Sequence, residues 1–458
     1  MSYFAPPLNT GVIATTLPVP GAMPWMTSND MARLSRYRQY LAFDAGKHDV
    51  GRLGIGSAAV VANYAAVFVR KGASYLMPEP VGCSVDPPDD TDVGRAVALR
   101  CERALARVGD DNDLALADLA TAIDAAVLGD GAFKITWDAA AGRVQVAPVD
   151  PQSLYVECAP DNPRAVVTVR QYRETPAGGA PVGGAGLGYT GHMHGGAELE
   201  EWTATTYRRA VNGETVWEGA NPYGCIPYVV FPNSPRPHDF WGESDLTHLI
   251  GLNGQLDRRL SVLASLLELE GNPVTILENV AGSAGIEVSP GAVWELPAGA
   301  TARTLQLFGG DAADVHIRTI DAIYKALHDL AEMPRSAFGD ATGVVSGTAL
   351  EATLQPLIQR TRRKRIIWTS ALTRRARLIL HLLAHYGALD LGGYTADDLP
   401  VRLAWGPIIP ADRHALVADE IALTQAGLHA RATAMDALGV PDAAQEAHAI
   451  AREGAGED

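Results

Sequence analysis

The feature that most constrains this chain lies between Glu243 and Glu332, where the sequence encodes two long helices with a β-prone stretch between them. Glu243 to Glu270 contains no proline and only two glycines, and at 1.5 Å per residue it would run about 40 Å. Leu246, Leu249, Ile250, Leu256, Leu260, Leu263 and Leu267 recur at helical spacing and give it an apolar face. Asn272-Pro273 stops it. Val274–Leu277, Ile286–Val288, Val293–Leu296 and Thr304–Leu307 then read as short strands broken by Gly and Pro. Asp311 to Glu332 is the second long helix, ended by Pro334. Neither helix has an obvious partner of equal length elsewhere in the chain. A helix out, a small β-rich cap and a helix back therefore ask for neighbouring copies, and head-to-tail contacts of that kind close into rings.

The rest of the chain is built differently. Residues 1–30 are rich in Pro, Gly and Thr without periodicity and read as an extended arm that gains order only by docking on something else. A helix follows, capped near Ser28, Asn29 or Asp30, with Met31, Leu34, Tyr37 and Leu41 inward. Asp113 to Leu128 is a further helix, stopped by Gly129-Asp130-Gly131. Ala132–Trp137 and Val144–Ala147 flank Gly142 as a β-hairpin, and Val166–Tyr172 and Trp202–Arg208 read as more strands of the same sheet. Pro176 to Gly196 is a glycine-rich excursion. Residues 31–242 thus form an α+β unit. After the second long helix come a loop, Pro334–Ser346, and a third helix from about Gly347 to Tyr386, some 60 Å long with a kink at Pro356. Val401–Trp405 is a strand, and Ala411–Arg452 reads as two short helices split at Gly439-Val440-Pro441.

Composition bears on what such a chain can bind. Its 458 residues carry a formal net charge of -16, which argues against simple wrapping of nucleic acid. It is compatible with an acidic channel through which DNA slides without sticking. The first long helix has five acids (Glu243, Asp245, Asp257, Glu268, Glu270) against Arg258 and Arg259, and Asp311–Glu332 has five acids against Arg318 and Lys325. By contrast, Arg360 to Arg377 holds eight basic residues and no acid. Arg360, Arg363, Lys364, Arg374 and Arg375 fall within an arc of roughly 120° at 100° per residue. That arc either faces DNA phosphates or pairs with acids of the same or a neighbouring subunit.

Signatures of chemistry are wanting. Gly54-Ile-Gly56-Ser-Ala-Ala59 resembles a dinucleotide fingerprint but lacks the apolar strand that must precede it. No phosphate-binding GxxxxGK[ST] loop occurs. His192 and His194 have no companions at ligand spacing, and His381 and His385 share a helix face without the Glu of a metalloprotease motif. Cys83, Cys101, Cys158 and Cys225 form no CxxC pair and read as free thiols of a reducing compartment. The first residues show no signal-peptide pattern, and no apolar run of about 18 residues suggests a membrane span. The expectation is no catalysis, no metal and no cofactor.

Several segments in order carry a resemblance. They are Arg33-Leu-Ser-Arg-Tyr-Arg-Gln-Tyr40, Asn63-Tyr-Ala-Ala-Val-Phe-Val-Arg-Lys-Gly-Ala-Ser-Tyr75 and Asn221-Pro-Tyr-Gly-Cys-Ile-Pro-Tyr-Val-Val-Phe231. Gly242-Glu-Ser-Asp245 then opens the first long helix, Ser346-Gly-Thr-Ala-Leu350 the third, and Trp405-Gly-Pro-Ile-Ile-Pro-Ala-Asp412 follows. Over about residues 31–440 this succession resembles the portal proteins of tailed double-stranded DNA bacteriophages. The resemblance implies an α+β, mostly helical portal fold: N-terminal arm 1–30, wing 31–242, stem helices 243–270 and 311–333, and clip 271–310. It further implies a tunnel loop 334–346, a kinked helix with a returning wing strand 347–410, and a short crown 411–458.

It also implies a structural subunit of a ring, twelve-fold in the virion, assembled in the bacterial cytoplasm and placed at one capsid vertex. Double-stranded DNA would pass through the channel without sequence readout. The terminase large subunit and later head-completion or adaptor proteins would dock on it, and major capsid and scaffolding proteins would surround it. The tunnel loop would bring Asp340, Thr342, Gly343, Val344 and Val345 near DNA, and Glu278, Trp294, Glu295 and Arg303 would be exposed on the clip. Two other readings stay open: a different ring-forming head scaffold or adaptor, and a phage-borne enzyme, for which no convergent polar set is visible.

Overall fold

In the computed structural model the structure describes residues 23, 25–51, 59–175, 196–271, 275–279, 298–304, 310–340, 347–409, 413–440 and 443–455. The chain divides into two units, residues 1–404 and 405–458.

The larger unit opens with α1 (Ser28–Asp44). Its cap is Thr27, one residue before the expected candidates. The Thr27 hydroxyl accepts the Asp30 N–H, and the Asp30 carboxylate accepts the Thr27 N–H, each at 3.1 Å. The inward face is Arg33, Leu34, Tyr37, Tyr40 and Phe43, while Met31 and Leu41 point outward. Arg33 is drawn in because its guanidinium donates to the carbonyls of Pro151 and Leu154 and lies 3.8 Å over the Trp241 ring.

Next come α2 (Tyr64–Leu76), β1 (Gly82–Val85), α3 (Asp92–Asp111) and α4 (Leu114–Leu128), which ends on the left-handed Gly129. β2 (Asp130–Asp138) and β3 (Arg143–Pro148) form the hairpin expected around Gly142, with Ile135 opposite Val146.

The strands that follow do not extend that hairpin. β4 (Leu154–Ala159), β5 (Asn162–Thr175), β6 (Gly196–Thr203), β7 (Thr206–Val211) and β8 (Glu214–Ala220) make a separate five-stranded antiparallel meander. Pro148 and Pro151 cannot donate to a ladder, and Asp150 accepts the Gln152 N–H to start a 3-10 turn that redirects the chain. Trp202–Arg208 is likewise two strands. The Thr203 hydroxyl accepts the Thr206 N–H at 2.8 Å and makes the turn between them. The place beside β2 goes to β9 (Tyr228–Pro232), in a sheet ordered β3-β2-β9.

The first long helix, α5, runs Ile250–Gly271 and begins later than the expected Glu243. The Ser244 hydroxyl donates to the carbonyls of Ala126 and Val127, and the Asp245 N–H donates to Ala126 as well. These residues are joined to the end of α4 instead of to a helix of their own. β10 (Thr275–Glu278) and β11 (Thr301–Thr304) pair antiparallel, and α6 (Gly310–Leu330) returns. Contrary to expectation, α5 and α6, 22 and 21 residues long, are each other's partner. The remaining strands expected in this stretch fall outside the described residues.

Arg335–Phe338 is a 3-10 turn closed by left-handed Gly339. α7 (Gly347–His385) is 39 residues long with Pro356 inside it. It backs the three-stranded sheet through Trp368, whose ring lies 4.8 Å from Phe231 and 6.4 Å from Phe133, all three fully buried. β12 (Val401–Ala404) pairs with β1.

The second unit contains α8 (Arg413–Gln425), α9 (Arg431–Ala437) and α10 (Ala443–Ala455), three helices where two were expected. Left-handed Gly427 supplies the additional break. Within this unit His429 bonds the buried Glu420 carboxylate at 2.9 Å.

Candidate functional site

The basic run of α7 is the densest charge in the sequence, and the structure turns most of its candidate arc inward. Asp245 sits in the middle. Arg360 approaches its carboxylate at 2.7 Å and Lys364 at 2.5 Å, and the Asn233 amide donates to it at 2.9 Å. Lys364 also donates to the Asn233 side-chain oxygen at 2.9 Å. The second arm of Arg360 donates to the Ala331 carbonyl at 2.8 Å, just beyond the end of α6. Burial acts to raise the Asp245 carboxyl, but Arg360 and Lys364 overcome it and hold it well below the usual carboxylate range. Burial pushes the Lys364 ammonium down to about 8 against the pull of Asp245.

The other three members of the arc are spread along the helix. Arg375 clasps Asp118 on α4 with both guanidinium arms, one of them at 2.9 Å, and is buried. Arg363 is exposed and meets Glu332 at 2.5 Å. Arg374 is exposed and donates to the Val230 carbonyl at 3.2 Å. The arc therefore ties α7 to α4, β9, the entry to α5 and the exit from α6. Of the two readings weighed for it, pairing with acids of the same chain is the arrangement observed at Arg360, Arg363, Lys364 and Arg375.

A second cluster escaped sequence reasoning. Asn253, Asp257, Ser261 and Ser265 recur every four residues on α5 and all are buried. Asp257 bonds His48 Nδ1 at 2.5 Å and accepts the Ala62 N–H at 2.8 Å and the Asn253 amide at 3.1 Å. Asn253 accepts the Ala65 N–H, and Ser261 accepts the Val60 N–H. His48 Nε2 contacts the Phe43 carbonyl at 3.0 Å, and its ring stacks on Phe43 at 3.8 Å. This stripe satisfies the backbone of residues 60–65, which has no ladder of its own there. Asp257 is one of the five acids of the first long helix. It and Asp245 face inward, and Asp321 and Glu332 pair with Arg335 and Arg363. A count of acids along a helix does not report its surface charge. The available signal was polar residues four apart among leucines.

Of the remaining candidates, Glu278, Arg303 and Asp340 are described and exposed. Glu278 and Arg303 form a 3.0 Å ion pair across β10 and β11. Asp340 is exposed and its N–H donates to the Arg335 carbonyl at 3.3 Å. Trp294, Glu295, Thr342, Gly343, Val344 and Val345 lie outside the described residues, as do Gly54, Gly56, His192 and His194. At the foot of α6, buried His328 bonds the Met333 carbonyl and is surrounded by Phe68, Tyr324 and Phe338, and burial lowers its pKa. His381 bonds the Tyr223 carbonyl. Among the described residues no group of three or more His, Cys, Asp or Glu could hold a metal ion, and no helix is long and apolar enough to cross a membrane.

What the geometry offers is mechanical: a helix–sheet–helix excursion whose base is fixed to an α+β body by buried ion pairs. No match was found among curated proteins. Residues 58–458, nearly the whole chain, match the family model described as phage portal protein, SPP1 Gp6-like. The chain with this excursion and this body belongs to the SPP1 Gp6-like family of phage portal proteins.

Proposed function

We propose that the chain is the ring subunit through which phage DNA enters and leaves the capsid. Family membership gives the coarse role: a structural, non-enzymatic protein of the phage head that assembles as a ring and associates with the capsid at a vertex. In the finer reading, twelve copies surround a channel, the α5–α6 pair lines it, and double-stranded DNA slides through without sequence readout. The β10–β11 end, with Glu278, Arg303 and the stretch containing Trp294 and Glu295, docks the terminase large subunit and later the head-completion proteins. Residues 334–346 approach the DNA, with Asp340, Thr342, Gly343, Val344 and Val345 acting by steric contact. Major capsid and scaffolding proteins hold the outer surface.

The observation that carries this reading is the base of the excursion. Asp245, Arg360, Asp257 and His48 fix both long helices to the body, so load applied to them is passed on to α7 and the sheets. Negative-stain imaging of the purified chain tests the ring and should give annular particles with a central hole. Discrete monomers would sink it. Deleting residues 340–345 should leave rings intact while impairing DNA packaging or retention in an assembly assay. Normal packaging in that variant removes the loop from the mechanism.

A further inference from the structure

The five-stranded sheet ends at β8, whose outer edge pairs with no strand among the described residues. Glu214 to Glu218 are all exposed, and Val216 (60%) and Trp217 (43%) hold large apolar surfaces in water. Exposed edges are usually guarded by charge or by a bulge. Here Glu214 and Glu218 guard the ends, and a register shift leaves Val216 as an extra residue between Thr215 and Trp217, which face Ala210 and Arg209. The run between them, Thr215-Val216-Trp217, carries no charge. A short strand could add there, with main-chain hydrogen bonds for affinity and the two apolar side chains for fit.

A fitting segment exists in the chain itself. Residues 1–29 contain no charged side chain, and Thr10-Gly-Val-Ile-Ala-Thr-Thr-Leu17 is rich in β-branched residues and lies between Pro7 and Pro18. The point where this arm joins the fold is well placed. Trp25 stands edge-on to Tyr155 of β4 at 4.6 Å and is 6.4 Å from Tyr172 of β5, with Arg170 6.0 Å over its ring. The arm is thus anchored at the β4–β5 end of the sheet, beside one edge strand, and β8 is the edge strand at the other end. An anchor and an acceptor edge at opposite ends of one sheet make two different patches, and a contact between such patches is head-to-tail, the kind that closes rings. Pro18 to Pro24 spans up to about 23 Å when extended, enough to leave one sheet and reach the next.

We propose that residues 10–17 of each copy add as a strand to β8 of the adjacent copy, so that uncharged arms tie the ring together. The inference rests on the ring reading above. It concerns a segment that precedes residue 58, where the family match begins.

Cysteine pairing tests it. One pool carries a cysteine at a single position from 11 to 16, such as Val12→Cys. A second pool carries Val216→Cys, and the two are co-assembled and oxidised. Disulfide-linked dimers are expected in the mixture and in neither pool alone, which controls for the native cysteines. A chain with both substitutions should give a ladder of covalent multimers. Intact rings with no cross-link at any arm position, or cross-links confined to single chains, would overturn the proposal while the ring reading stands. Absence of rings in the unmodified protein would sink both. Independently, removing residues 2–22 should raise the concentration at which rings half-dissociate at least tenfold, to a similar extent at 0.1 M and 1 M salt. An unchanged midpoint argues against the arm.

Discussion

The two ends of the α5–α6 pair are made on different principles. At the base, near Asn253, Asp257 and His328, side chains are buried and bonded to His48, to Ala65 of α2 and to the Met333 carbonyl of the same chain. Toward the β10–β11 end, Leu267 (63%), Val315 (62%) and Ile317 (54%) are apolar and exposed. One end is completed by its own protomer. The other presents apolar surface that another copy could cover. The leucine periodicity read along the sequence is much the same at both ends, so it cannot distinguish them.

The comparison can be broken most forcefully at Asp245. Asp245→Ala leaves Arg360 and Lys364 without their shared carboxylate and should cost about 3–5 kcal/mol in urea unfolding. A cost under about 1 kcal/mol would mean the base is not held by this cluster. The pH dependence follows from the sign of the shift. The folded carboxyl lies below its unfolded value of about 3.9, so its contribution is complete above roughly pH 4 and fades as pH falls further. Asp245→Asn should flatten that acid limb.

Asp257→Ala comes next. It strands the Ala62 N–H, the Asn253 amide and His48, for about 2–3 kcal/mol, and hydrogen exchange at Ala62 and Ala65 should rise with it. At the surface of the base, Arg363→Ala breaks an exposed pair with Glu332 and should cost at most about 1 kcal/mol. Val315→Glu with Ile317→Glu should be smallest for the isolated subunit, within about 0.5 kcal/mol. Native mass spectrometry of that variant should show rings lost. Normal rings would mean that the exposed end is not a contact between copies.

Local pattern made much of this fold legible. The hairpin around Gly142, the stop of α4 at Gly129, the long helices and the succession of parts all follow from periodicity and turn residues close in sequence. What was hidden depends on partners far away. Lys364 and Asp245 are 119 positions apart, and Arg375 and Asp118 are 257 apart. No window along the chain reveals that three members of the basic run, Arg360, Lys364 and Arg375, are spent on interior acids. The division into two sheets was hidden for a similar reason. β9 returns from some 90 residues downstream to occupy the edge that β4 would otherwise take. His48, Asn253 and Ser261 were missed because each looks ordinary until the bare backbone of residues 60–65 lies beside it.

Pro356 gives α7 the mechanics of a lever. It lacks the N–H that would bond the Ala352 carbonyl, so the helix is weakest to bending between buried Leu354 and Leu357. Beyond it, Leu357, Trp368 and Arg375 are clamped in the body. Before it, Gly347 stands about 14 Å from the fulcrum at 1.5 Å per residue. A tilt of about 20° there would swing Gly347 by roughly 5 Å.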